Sequence, residues 1–372
     1  MLSEEEARDT ILEEVKPGGG EDLSLAEAGG RYLARDLISA LPSPSFDQSA
    51  MDGYAVRHED AKAGAELTVT GEQAAGRDLE FMCGPLGAVR IFTGAPLPEG
   101  ATAVVMQEDV EKVGENRIRL REGAGEGEFI RRVGEDHCVG QLLAGAGSRV
   151  GEGMVGVLAS QGMGTVAVGR VPRVRVLTTG DEVVGVSGEA ELRPGELYNS
   201  NGPMLSALCR GLGVGGAVID HVRDELTAVR RGVEEGLSEG DILIVVGGVS
   251  VGERDFVKRA LSEAGVETLF WRVKVRPGKP LYFGKRGKTL VFGLPGNPVS
   301  AFVTFHLFVA PALRKWMGAS EGLWGPVTRV GRVLEAIRTG GDRPHYLTGR
   351  MDWMGGYFRP VGIQQSHAIG IA

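Results

Sequence analysis

The segment 241–255, "DILIVVGGVSVGERD", begins with a carboxylate, runs through five apolar residues into two glycines, and ends on a second carboxylate. Read as strand, glycine loop and helix start, it places Gly247, Gly248, Ser250 and Gly252 beyond the carboxyl end of a strand, where ligands sit in open α/β sheets. Glycines let backbone N–H groups approach an anion, a following helix N-terminus adds partial positive charge, and Ser250 adds a hydroxyl donor. The loop has neither the G-K-[ST] of a P-loop nor the spacing G-x-G-x-x-G, so it signals neither an ATPase nor a dinucleotide dehydrogenase. The plainer alternative is a βα turn in which Asp255 favours the dipole of the next helix.

Two further stretches share this chemistry. In "GLPGNPVSAF", with Pro295 at its third position, Asn297 followed by Pro298 reads as an N-cap and first helical residue. The free N–H groups there make a second anion seat, or simply an ordinary capped helix. Between the two lies "FWRVKVRPGKP", where Trp271, Val273 and Val275 alternate with Arg272, Lys274 and Arg276, and Lys279 follows. A strand over this stretch would show one apolar and one basic face. Its four cations in eight residues reverse the charge of an acidic chain locally, and arginine suits bidentate contact with oxyanion oxygens.

The carboxylates fall near the same places. Asp181 and Glu182 in "TTGDEVV" follow a strand, and Asp224 and Asp255 each start a helix. Capping accounts for each aspartate singly. Facing a phosphate-bearing ligand together, they would more naturally meet it through Mg²⁺, which binds one or two carboxylates plus phosphate oxygens. "SFDQSAMDGYAV" sets Asp47 and Asp52 around an Asp-Gly turn signal. "FTGAPLPEGATAVVMQED" and "RRVGEDHCVG" read as constrained loops bearing Glu108, Glu135 and Asp136. The six histidines are dispersed, so no histidine metal cluster is expected, and no Ser-His-Asp or Cys-His arrangement can be argued.

The elements that must carry these groups change character along the chain. Ser3 and Glu6 form a capping box ahead of Ile11, Leu12 and Val15, and a second helix is expected over 24–38. From 54 to 150, short alternating runs between Gly and Pro turns read as an all-β lobe. From 171, strands alternate with helices, which predicts a parallel sheet covered on both faces. The hairpin "PLYFGKRGKTLVFG" and a helix over 298–315 close it, and the last fifty residues return to short strands.

Bulk properties bound the rest. With 372 residues the chain should hold roughly two to four domains. A formal charge of −8 leaves no broad basic footprint, so duplex nucleic acid is not an expected partner. Three scattered cysteines without C-x-x-C give no disulfide framework. The acidic N-terminus is unlike a signal peptide, and the apolar region 291–313 is broken by Pro295, Asn297, Pro298 and His306. The expectation is a cytoplasmic protein with no membrane span.

Six stretches in this order, "SAMDGYAV", "TGAPLPEGATAVVMQE", "TTGDEVV", "GGVSVGERD", "RPGKP" and "GLPGNPVSA", closely resemble molybdopterin molybdotransferase (MoeA), the family that includes the gephyrin E domain. The resemblance runs through nearly the whole chain to "QQSHAIG". It implies an elongated multidomain protein of α/β plus β class. The parts would be a helical linker domain from 1–53 and 140–170, a β-rich lobe over 54–139, a three-layer α/β molybdopterin-binding domain over 171–320, and a small C-terminal β-barrel-like domain over 321–372. Relatives run on past "IGIA" through another apolar strand, so that last domain is expected to be short.

The implied activity is Mg²⁺-assisted insertion of molybdate into adenylated molybdopterin with release of AMP. Matched position by position, the functional residues would be Asp52, Thr93, Asp136, Glu182, Asp224 and Asp255, with Glu182, Asp224 and Asp255 on the metal. Arg272 and Arg276 stand where lysines are frequent in the family, and Pro295 and Pro298 fall near the molybdate seat. The resemblance also implies a homodimer whose site is shared between subunits, and a molybdopterin adenylyltransferase as upstream partner. Two rivals remain: an adenylyltransferase-like enzyme, which would need only the 171–320 region, and a non-catalytic scaffold on the same fold.

Overall fold

The computed structural model describes residues 1–76, 80–186, 191–248, 256–334, 336–337, 340–352 and 354–360. They fall into two compact units, Met1–Arg35 with Gly145–Ala372, and Asp36–Ala144.

The larger unit is built on a six-stranded sheet. Its strands are β1 (Val174–Thr179), β2 (Val218–Val222), β3 (Ile242–Val246), β4 (Glu267–Trp271), β5 (Tyr282–Arg286) and β6 (Thr289–Leu294), in the spatial order β2-β1-β3-β6-β5-β4. β2, β1, β3 and β6 run parallel, and β5 and β4 close the sheet antiparallel. Ile244 at the middle of β3 is in register with Val176 and with Phe292. All five residues of β3 are buried, as expected of a parallel strand covered on both faces.

Alternation along each strand feeds two cores. Val176, Ile244 and Phe292 share one with Ala7 and Ile11 of α1 (Glu4–Glu14), Leu205 and Cys209 of α2 (Asn201–Gly211), and the helical run ending Phe305–Leu313. Leu177, Val245 and Val291 share the other with Val229 and Val233 of α3 (Leu226–Glu239) and Val257 and Leu261 of α4 (Phe256–Glu263). Helices therefore cover both faces, as the strand–helix alternation predicts. At the start of α1 both halves of the capping box form: the Glu6 N–H donates to Ser3 Oγ at 3.1 Å, and the Ser3 N–H to Glu6 Oε2 at 2.7 Å.

The expected helix from 298 is present as α5 (Pro298–Thr304) and α6 (Ala310–Trp316), joined by a π-helical turn over Phe305–Val309. The wider turn lies just before Pro311, which has no N–H for the regular ladder. A three-stranded sheet, Arg332–Val333, Tyr357–Pro360 and Gly349–Asp352, follows. Residues 361–372, with "QQSHAIG", lie outside the described residues.

Two local expectations differ from what forms. The helix expected over 24–38 is confined to Leu25–Ala28. Gly29 and Gly30 interrupt it, Gly30 with φ +82°, and the chain then extends so that Tyr32 bridges Arg149 and Leu33 bridges Val168. The strand expected through "FWRVKVRPGKP" stops at Trp271, because Arg272 adopts φ +76°. The alternation survives without the strand: Val273 and Val275 are fully buried, while Arg276 and Lys279 are exposed.

The smaller unit holds a six-stranded sheet in the order Ala103–Met106, Gly53–Val56, Gly87–Ile91, Glu66–Gln73, Arg117–Leu120, Val110–Gly114. Tyr54, Val56, Leu67 and Ile118 pack on one side, and Ala55, Val89, Ile91 and Val104 on the other. A Cβ at Gly53 would lie 2.0 Å from the Val105 carbonyl oxygen, so only glycine fits there. Among the described residues, no helix is long and apolar enough to cross a membrane.

Phe292 is fully buried and its ring centroid lies 5.0 Å from that of Phe283. Phe292→Ala should cost about 3–5 kcal/mol, read as a lowered urea midpoint at an unchanged slope.

Candidate functional site

The four parallel strands end at the same edge, and the turns that follow them deliver the chemistry. β1 leads into Gly180, Asp181 and Glu182, β2 into Asp224, β3 into Gly247 and Gly248, and β6 into Pro295, Gly296 and Asn297. Thr179, Glu182, Asn201, Asp224, Gly247, Gly248, Pro295, Asn297 and Pro298 line one cleft of about 540 Å³. The glycines are required by geometry. Gly247 and Gly248 have φ of +90° and +60°, and a Cβ on Gly248 would lie 2.5 Å from Val257 Cγ2. Asn297 occupies the N-cap of α5 with Pro298 at its first position, as its sequence predicts. Ser250, Gly252 and Asp255 lie outside the described residues.

Three acids crowd this edge. The Asp224 N–H donates to Asp181 Oδ1 at 3.1 Å. Burial raises the Asp224 carboxyl above its ordinary value, the negative charges of Asp181 and Glu182 raise it further, and the Thr179 hydroxyl and His221 oppose them. This is excess negative charge that a divalent cation would relieve. Among the described residues, no three His, Cys, Asp or Glu side chains group closely enough to hold a metal by themselves. Glu182 and Asp224 are the kind of donors that would suit Mg²⁺ held by one or two carboxylates together with a ligand's phosphate oxygens.

Polar side chains that sequence reasoning missed complete the cleft. Asn201 Nδ2 donates to the Gly296 carbonyl at 2.7 Å, which turns its Oδ1 away, and that oxygen is buried with no partner among the described residues. Thr179 Oγ1 is likewise buried without a hydrogen bond of good geometry, although it faces Asp224 closely enough to favour its charged form. Asn199 braces the wall, donating to Thr178 Oγ1 at 2.9 Å and accepting from the Gly202 N–H at 3.0 Å. The sequence signal for them is "YNSN", whose last residue opens α2. Orphaned buried polar atoms are rare in proteins, and the Asn201 oxygen is one at the wall of this cleft.

A second cleft of about 490 Å³ adjoins the first through Pro280, Pro295 and Asn297. Arg276, Lys279, Ser300, Arg343 and His345 also line it, and among the described residues its charged lining is wholly cationic. The structure thus brings Arg276 and Lys279 to the site. Arg272 lines neither cleft, and its N–H is spent on the Leu281 carbonyl at 2.8 Å.

In the smaller unit the Asp52 carboxylate accepts from the Thr93 N–H and from Thr93 Oγ1, both at 2.8 Å. The Thr93 N–H, then its hydroxyl and the Arg90 charge, hold the Asp52 carboxyl below its ordinary value, so it is an anion at neutral pH. Asp136 contacts His137 Nδ1 at 3.0 Å and is otherwise exposed. Among the described residues no hydrogen bond joins it to Asp52.

Residues 2–162 match the family model of the MoeA N-terminal region (domain I and II), and residues 175–315 match that of a probable molybdopterin binding domain. The chain is 36% identical to the molybdopterin molybdenumtransferase of Haemophilus influenzae, over 99% of this chain and 91% of that one. It is 31% identical to the gephyrin of Dictyostelium discoideum, over 95% of this chain and 55% of gephyrin. A solved molybdopterin biosynthesis MoeA protein from Pyrococcus horikoshii superposes with a TM-score of 0.83 at 28% identity, covering 98% and 92% of the two chains. Because the likeness extends through the β lobe as well as the α/β sheet, the chain belongs to the MoeA family of molybdopterin molybdenumtransferases, enzymes of molybdenum cofactor synthesis.

Proposed function

We propose that this protein inserts molybdate into adenylated molybdopterin and releases AMP. The observation that carries the reading is the convergence of Glu182, Asp224, Gly247, Gly248 and Asn297 on one cleft, beside a second whose charged lining among the described residues is all positive. The two clefts suit the two substrates. The Gly247 N–H is turned to the Leu294 carbonyl at 3.4 Å, so the Gly248 N–H, continued in sequence by Ser250 and Gly252, would hold the phosphates. Arg276 and Lys279, with Pro295, Asn297 and Pro298, would seat molybdate. The substrate's own sulfurs supply soft ligands for molybdenum, so no cysteine site is needed.

Glu182 and Asp224, with Asp255, would hold Mg²⁺. When bound, the ion would neutralise charge developing on the phosphate oxygens as AMP leaves. The protein's own part is to orient the two anions and to keep Asp224 poised between its neighbouring acids. Asp52, Thr93 and Asp136 would complete the site from the β-rich lobe of a second copy, which makes the working form a homodimer. In this reading the chain acts in the cytoplasm, downstream of a molybdopterin adenylyltransferase. Its parts are 1–53 with 140–170, 54–139, 171–320 and 321–372.

AMP release from adenylated molybdopterin in the presence of molybdate and Mg²⁺ tests the activity directly. Asp52→Asn should leave the fold intact and lower AMP release about 100-fold or more; unchanged turnover would remove Asp52 from the site. Glu182→Gln should raise the Mg²⁺ concentration for half-maximal rate by about 10–100-fold, and an unaltered titration would make Glu182 a structural cap. At Mg²⁺ too low to support Glu182→Gln, mixing it with Asp52→Asn should give more turnover than either variant alone. No such gain would argue for a site contained within one subunit.

A further inference from the structure

The cationic cleft contains a histidine that no sequence motif singled out. His345 is held in place by its backbone: the Arg276 N–H donates to the Pro344 carbonyl at 2.9 Å, and the Tyr346 N–H to the Arg276 carbonyl at 2.7 Å. Tyr346 is itself anchored, its hydroxyl donating to Glu4 Oε2 at 2.6 Å. The imidazole lines the cleft, and its Nδ1 is buried with no partner among the described residues. The ring can therefore meet a ligand only through Nε2. A buried, unpaired ring nitrogen is costly to keep.

We infer that His345 reads the bound oxyanion, donating one directed hydrogen bond from Nε2–H while the surrounding cations supply the charge. This rests on the reading of the cleft as an oxyanion seat. The titratable and charged groups that line the cleft with the ring are Arg276, Lys279, Arg343 and Tyr346, and no carboxylate lines it among the described residues. Burial, then the Arg276 charge, hold the imidazole below its ordinary pKa. It is therefore neutral at pH 7, and the absence of an acceptor at Nδ1 disfavours a second proton there. A neutral donor adds direction without charge. It rewards an anion with an oxygen at the right corner and adds no attraction for anions in general.

The test is binding of molybdate, and of sulfate for comparison, to the full chain by titration calorimetry from about pH 6 to 9, the range in which an ordinary histidine loses its charge. The wild type should bind with no histidine-type rise in affinity toward low pH. His345→Phe, which keeps a ring without a donor, should weaken molybdate about tenfold or more, with an unchanged melting temperature. His345→Gln, which restores a neutral donor, should recover most of that loss. Tight binding by His345→Phe, or a wild-type affinity that climbs steeply toward low pH where His345→Gln stays level, overturns the inference. Arg276→Ala separates the two layers: if it weakens binding while His345→Phe does not, the seat stands and His345 falls. If the wild type binds no oxyanion, or Arg276→Ala binds as tightly as wild type, the reading of the cleft falls and His345 with it.

Discussion

The central strand Ile242–Val246, buried on both faces and in parallel register with a strand on each side, is what the rest of the larger unit hangs on. Parallel pairing sends neighbouring strands out of the sheet at one edge, so the turns after Thr179, Val222, Val246 and Leu294 emerge together. That single constraint turns four separate loops into one rim. A one-residue slip would move Ile244 away from Val176 and Phe292 and exchange the two cores. Both faces are packed, so the register is strongly specified and the rim is held to it.

On that rim the protein sorts its charge. Overall it is acidic, at −8, yet the two adjoining clefts differ in sign. Glu182 and Asp224 line one, with Asp181 near Asp224, while Arg276, Lys279 and Arg343 line the other. Pro295 and Asn297 belong to both walls. Charges of one sign grouped in a shared concavity reinforce each other's field where like charges scattered over a surface are screened. Burial and the neighbouring acids hold the Asp224 carboxyl up, and among the described residues no carboxylate lines the cationic cleft. The smaller unit uses a different device: Asp52 is held as an anion by two hydrogen bonds from Thr93 and by the Arg90 charge.

Much of this was legible in the residue pattern. Alternating strand and helix periods locate the α/β region, the Ser3–Glu6 pair locates the first helix, and glycine and acid positions after apolar runs put the rim beyond strand ends. The errors have local causes. "SLAEAGGRYLARDLI" has helical periodicity, but Gly29–Gly30 and pairing to strands more than a hundred residues away outweigh it. Arg272 sits where alternation predicts strand, yet the turn it makes lets Arg276 and Lys279 reach the cleft while Val273 and Val275 stay buried.

The sequence by itself determined the elements and the chemical types available at their ends, because hydrophobic period and turn residues act over a few neighbours. Only the tertiary structure decided which of those groups meet. It joined Asn201 to Gly296, set Thr179 against Asp224, and laid His345 beside Arg276. It also left Arg272 out of both clefts. Such meetings depend on sheet order and packing over long chain separations, and no local pattern in the residues encodes them.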